Sequence, residues 1–166
     1  VFSGQKASLR EAKGLSQHFF DGANPKLPIS KGTKLFAHVY VDTLNPPKQI
    51  MLQFNDGNWE HRAYWGDSKI PWGKDGTVSK RKMGPLPETG KWVKLEVDAS
   101  HVGLKPGAQL NGWAFSQFDG KVYWDKAGIV TTVDPTKGLK SLPPNLENPP
   151  SASPFFADDP ASSFEG

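Results

Sequence analysis

Gln49-Ile50-Met51-Leu52-Gln53-Phe54-Asn55-Asp56-Gly57-Asn58-Trp59-Glu60-His61-Arg62-Ala63-Tyr64-Trp65 reads as two strands around a turn. Successive side chains of a strand point to opposite faces. In the first run Ile50, Leu52 and Phe54 therefore fall on one face and Met51, Gln53 and Asn55 on the other. Asp56-Gly57 is a hairpin-type turn pair. In the second run Trp59, His61, Ala63 and Trp65 alternate with Glu60, Arg62 and Tyr64. The same period of two recurs on both sides. At 34–41, Leu35, Ala37, Val39 and Val41 alternate with Phe36, His38 and Tyr40; at 91–97, Val93, Leu95 and Val97 alternate with Trp92, Lys94 and Glu96. Further short runs lie at 15–20, 109–118, 121–124 and 128–133, with Asp119-Gly120 as a second hairpin signal. About eight short strands with turn chemistry between them predict an all-β fold, an antiparallel β-sandwich.

Composition supports that reading. The chain has 166 residues, one domain's worth, with Gly 17, Pro 15, Trp 6, Phe 10 and Tyr 3. Many turns and many aromatics disfavour a helical bundle. Twenty Lys+Arg against 17 Asp+Glu leave a formal charge of only +3, with the basic residues scattered, so no nucleic-acid partner is expected. No apolar run reaches the ~20 residues that span a bilayer, so the chain is expected to have no transmembrane segment of its own. Cysteine is absent, which excludes disulfides, thiolate metal sites, covalent c-type haem and a Cys nucleophile within these residues.

The pattern changes after Val133. Residues 1–133 read as the β domain, and 134–166 as an extended arm with prolines at 135, 143, 144, 149, 150, 154 and 160. Proline fixes φ and removes a donor, so this arm builds neither a helix nor a central strand. Phe155, Phe156 and Phe164 are its apolar anchors for a partner. A long polar stretch, 66–90, holds Ile70-Pro71-Trp72-Gly73 and reads as a functional or partner-contacting loop.

No nucleophile elbow, phosphate-cradling glycine loop or His-Glu-x-x-His motif is present, and the chain is expected not to be an enzyme. The aromatic cluster is more informative. Sugar binding needs flat rings against pyranose C–H surfaces, with amide and guanidinium groups for the hydroxyls. Trp59, His61, Arg62, Tyr64, Trp65, Trp72, Gln53 and Asn55 supply both kinds of group. Core packing is the competing role for each Trp. Trp72, between Pro71 and Gly73, is the best placed for exposure.

Lys91-Trp92-Val93-Lys94-Leu95-Glu96-Val97, Val102-Gly103-Leu104-Lys105-Pro106-Gly107, Leu110-Asn111-Gly112-Trp113-Ala114-Phe115 and Gly120-Lys121-Val122-Tyr123-Trp124-Asp125-Lys126-Ala127-Gly128-Ile129 resemble the C-terminal half of jelly-roll carbohydrate-binding modules and galactose-binding-like domains. Asn45–Gly57 and Trp59–Gly66 resemble a domain of planctomycete-type multidomain cell-envelope proteins that also carry c-type cytochrome modules. The resemblance covers residues 14–133. It implies a jelly-roll sandwich, an extracytoplasmic location in the periplasm or cell envelope, and a structural Ca²⁺ held by Asp125, with Glu11 or Asp21 contributing. The expected function is a non-catalytic carbohydrate-binding-like module with a polysaccharide partner. The alternative is an accessory subunit that docks on a larger protein complex, haem-containing or membrane-bound, through its long loop and arm.

Overall fold

The structure, a computed structural model, describes residues 1–131. The arm and its Phe155, Phe156 and Phe164 lie outside the described residues. The strands are β1 (Ser8–Phe20), β2 (Leu27–Pro28), β3 (Lys34–Val41), β4 (Gln49–Asn55), β5 (His61–Gly66), β6 (Arg81–Gly84), β7 (Trp92–Asp98), β8 (Gln109–Leu110) and β9 (Gly112–Val130), with a 3-10 turn at Ala99–Val102. The described residues are all-β in this sense. Seven strands form one sheet in the order β6-β5-β4-β9-β3-β7, with β1 also on β9; β2 and β8 form a separate ribbon.

The long strand β9 organises the sheet. β1 runs along one flank of it, while β4 and then β3 occupy the other flank in succession. The ribbon bends where β1 slips register between Ala12 and Leu15 and β9 passes through Asp119 and Gly120, at φ 60° and 74°. The Gly14 N–H donates to Asp119 Oδ1 at 2.6 Å across this corner. The 42–48 loop crosses it so closely that a Cβ at Gly120 would stand 2.3 Å from Pro47 N. Only glycine fits there. Beyond the bend, the two halves curl to face each other around a shared core.

Four sequence expectations need correction. Asp119-Gly120 bends one continuous strand instead of turning a hairpin, because the bulged β1 continues to pair across the corner. β1 begins at Ser8, seven residues before the expected start, since its first half lacks an apolar face to reveal it. β5 begins at His61, not residue 58, because the Glu60 N–H donates to Asn58 Oδ1 at 2.9 Å and holds the chain in a turn. The sheet is mixed, not antiparallel, because the 66–90 stretch returns β6 parallel to β5.

The core follows from the alternation. Leu35, Ala37, Val39 and Val41 are fully buried, opposed by Ile50, Leu52, Phe54 and Ala63 on the other half. Trp113, Phe115, Val122 and Trp124 line the same interior from β9. Burial of such side chains is the main stabilising term, each contributing ~1.5–3 kcal/mol.

Candidate functional site

The outward face of the β1–β9–β4–β5 half carries the site. Residues directly opposite in an antiparallel pair share a face. Pairing therefore lines up Phe19, Ala114, Gln53 and Arg62 in one row, and Gln17, Ser116, Met51 and Tyr64 in the next. Small residues at 114 and 116 leave the centre low. The result is a depression of about 210 Å³ with Ala114 at its floor, bordered by Gln17, Gln53 and Arg62 and by the rings of Phe19, Trp59 and Trp72.

A chain of hydrogen bonds crosses the floor. Arg62 donates from Nε to Gln53 Oε1 at 2.7 Å, from Nη1 to Glu60 Oε2 at 3.0 Å and to the Ser79 carbonyl at 3.1 Å, and from Nη2 to Glu60 Oε1 at 3.3 Å. Gln53 Nε2 donates to Gln17 Oε1 at 3.0 Å and to Ser116 Oγ at 2.9 Å. Arg62 and Gln53 are buried, at 6% and 4% exposure, so these bonds hold the groups in place. The Arg62 bond holds the Glu60 carboxyl below its ordinary range.

Two loops bring the indoles. Trp59 sits in the β4–β5 turn, 6.1 Å from the Phe19 ring in an edge contact. Its Cη2 lies over Gly112, where an added Cβ would approach to 3.1 Å. Trp72 packs against a small second core of Met51, Tyr64 and Ile70. The segment before it is pinned to β4: the Lys69 and Ile70 N–H groups donate to Gln49 Oε1 at 2.6 and 2.7 Å. Lys80 Nζ donates to the Ile70 carbonyl at 2.6 Å. Tyr64 Oη donates to Asp75 Oδ1 at 2.5 Å, and Ser68 Oγ donates to Asp75 Oδ2. These bonds hold the Asp75 carboxyl below its usual range; burial, then Asp75, raises the Tyr64 phenol. The long loop is thus bound to its own sheet, and Trp72 is presented on a fixed support.

Of the residues singled out from sequence, Gln53, Trp59, Arg62 and Trp72 come together here. Tyr64 lies beneath the loop as its anchor. Asn55 ends β4, accepting from the Gly57 N–H at 2.8 Å and donating to Asp21 Oδ1 at 3.3 Å. His61 and Trp65 turn inward. Trp65 belongs to the main core, and His61 bonds the Val102 carbonyl at 2.7 Å and Asp56 at 3.0 Å. Trp59 therefore does not share a face with them, because strand alternation starts only at His61. Gln17, Phe19 and Ser116 escaped the sequence reading: strands distant in sequence bring them here, and the outward side of β1, which mixes Leu9, Leu15 and Phe19 with Glu11, Lys13 and Gln17, gives no local signal of it.

Asp125 holds the N-terminal segment against β9. Its Oδ2 accepts the Phe2 and Ser3 N–H groups at 2.7 and 2.9 Å, and its Oδ1 accepts the Lys126 N–H at 2.7 Å. Glu11 accepts from the Asn45 amide at 3.2 Å, and Asp21 accepts from the Asn55 amide. Among the described residues no group of three or more His, Cys, Asp or Glu could hold a metal ion. No helix among them is long and apolar enough to cross a membrane. No family model matches the chain, and neither a curated protein nor a solved structure matches it.

Proposed function

We propose that this chain is a non-catalytic carbohydrate-binding module and that the depression on the β1–β9–β4–β5 face is its glycan site. One observation carries the reading: Trp59 and Trp72 border a floor of fixed amide and guanidinium groups on the outside of a rigid sheet. Aromatic rings stack on the C–H faces of sugar rings, and the polar floor meets their oxygens. A jelly-roll topology and a place in the cell envelope belong to the same proposal, through the sequence resemblance.

Affinity electrophoresis through gels containing single polysaccharides tests it. The wild-type chain is expected to be retarded by at least one of them, and Trp59→Ala to migrate freely while keeping its near-ultraviolet circular dichroism. Equal retardation of wild type and Trp59→Ala would remove the basis of the reading.

The accessory-subunit reading keeps one supporting feature. β1 is an edge strand, exposing Leu9, Leu15 and Phe19 beside backbone groups that another chain could pair. Co-purification in a complex that the Leu9→Lys, Leu15→Lys double variant leaves would favour this second reading.

A further inference from the structure

We propose that the ligand of this face is an acidic glycan, one whose sugars carry an oxyanion that only accepts hydrogen bonds, as a uronate carboxylate or a sulfate ester does. This rests on the glycan reading above and deepens it. A guanidinium donates and never accepts. Because Arg62 Nε–H points at Gln53 at 2.7 Å, the atom facing it must be the amide oxygen, and the Gln53 NH₂ faces the other way. Both of its hydrogens are then consumed, by Gln17 Oε1 and Ser116 Oγ. Ser116 has accepted one bond, so its own hydrogen goes to Gln17 Oε1 at 3.1 Å. The Gln17 oxygen thus receives two donors, and its NH₂ is left without a partner among the described residues at the border of the depression.

The other end of the chain has the same polarity. Glu60 and the Ser79 carbonyl take three of the four Nη hydrogens of Arg62, and one on Nη2 remains. The indole N–H groups of Trp59 and Trp72 also have no partner among the described residues. The second lone pairs of Gln53 Oε1 and Ser116 Oγ belong to residues only 4% and 1% exposed, so the groups this lining offers outward are donors. A sugar hydroxyl can accept from them but leaves its own hydrogen unmatched. A carboxylate or sulfate offers lone pairs alone and makes the stronger, charge-assisted bond. The charge balance agrees. Two of the 20 basic and five of the 17 acidic residues lie at 134–166, leaving eighteen against twelve, a surplus of six, for the β domain.

The test uses the full chain in calorimetric titrations at physiological salt. The probes are oligogalacturonate and its carboxyl-reduced form, and a sulfated galacto-oligosaccharide and its desulfated form. The acidic forms are expected to bind about tenfold to a hundredfold more tightly than their neutral counterparts. The parent compound that binds identifies carboxylate or sulfate. Gln17→Glu replaces an exposed donor by an acceptor and is expected to abolish the preference. Neutral forms binding as well as acidic ones would overturn the inference while leaving glycan binding intact. Unchanged acidic-glycan affinity in Gln17→Glu would overturn it too, as would a single-stranded oligonucleotide competing at equal concentration. Binding to none of the four glycans would instead defeat the glycan reading itself.

Discussion

Replacing Arg62 by Met keeps the stem of the side chain and removes every donor. Met fills most of the same volume, so the cavity left behind is small and the loss is electrostatic. Glu60 has a side chain 63% exposed, so water solvates it once its partner is gone. Gln53 Oε1 and the Ser79 carbonyl are worse placed, because the sheet and the loop cover them. Leaving two such acceptors without donors costs about 2–4 kcal/mol. With a urea m-value of about 1–3 kcal/mol/M, the midpoint should fall by about 1–2 M at unchanged m. Tryptophan fluorescence across a urea gradient reads this directly. The same variant releases the Gln53 amide to rotate, so Gln17 loses its imposed orientation and ligand affinity falls as well. A midpoint within about 0.3 M of wild type, with affinity intact, would refute the idea that the floor is a built network.

Gly112→Ala places a Cβ 2.9 Å from the Phe20 carbonyl and 3.1 Å from the Trp59 ring; it should cost about 1–2 kcal/mol by overpacking and weaken glycan retention by displacing the indole. Asp75 holds its carboxyl below the ordinary range through Ser68 and Tyr64, so its contribution is present above the unfolded-state value and is lost as pH falls through the folded one. Circular dichroism melts from pH 5 down to pH 2 should show that loss below about pH 4, and Asp75→Asn should lack it. His18 is lowered from 6.5 to about 4, first by burial against Phe115 and then by Arg10. The unfolded chain takes up that proton first, so stability should decline between pH 6.5 and about 4, and His18→Phe should flatten that interval.

Particular residues show why part of the fold was legible in the sequence and part was not. β3, β4 and β7 have one consistently apolar face, and strand periodicity exposes it. The first half of β1 presents Ser8, Arg10 and Ala12 inward at a sheet edge, so it carries no apolar signal. Asp119-Gly120 has the local chemistry of a hairpin turn; only the pairing of β1 across it, more than a hundred residues away in sequence, makes it a bend. The candidate site divides in the same way. Gln53, Arg62 and Trp59 lie on one hairpin, and Trp72 stands out between proline and glycine. Gln17 and Ser116 reach the floor through sheet order, which periodicity alone does not give. Trp65 and His61 were grouped with Trp59 by parity counted through a turn, where parity does not hold.

The central claim is that the Trp59–Trp72 face receives a glycan, and a ¹H–¹⁵N titration of the full chain measures it most directly. The six tryptophans give six indole N–H signals, which serve as reporters on every side of the fold. With added acidic oligosaccharide, the Trp59 and Trp72 indoles and the Gln17 side-chain amide should shift together along one saturable curve. Trp65, Trp113 and Trp124 are in the core and should stay still, as should Trp92, which packs near Phe2 and Tyr40 on the other half of the sheet. Shifts confined to Trp92, or saturating shifts that leave both Trp59 and Trp72 unmoved, would contradict the account.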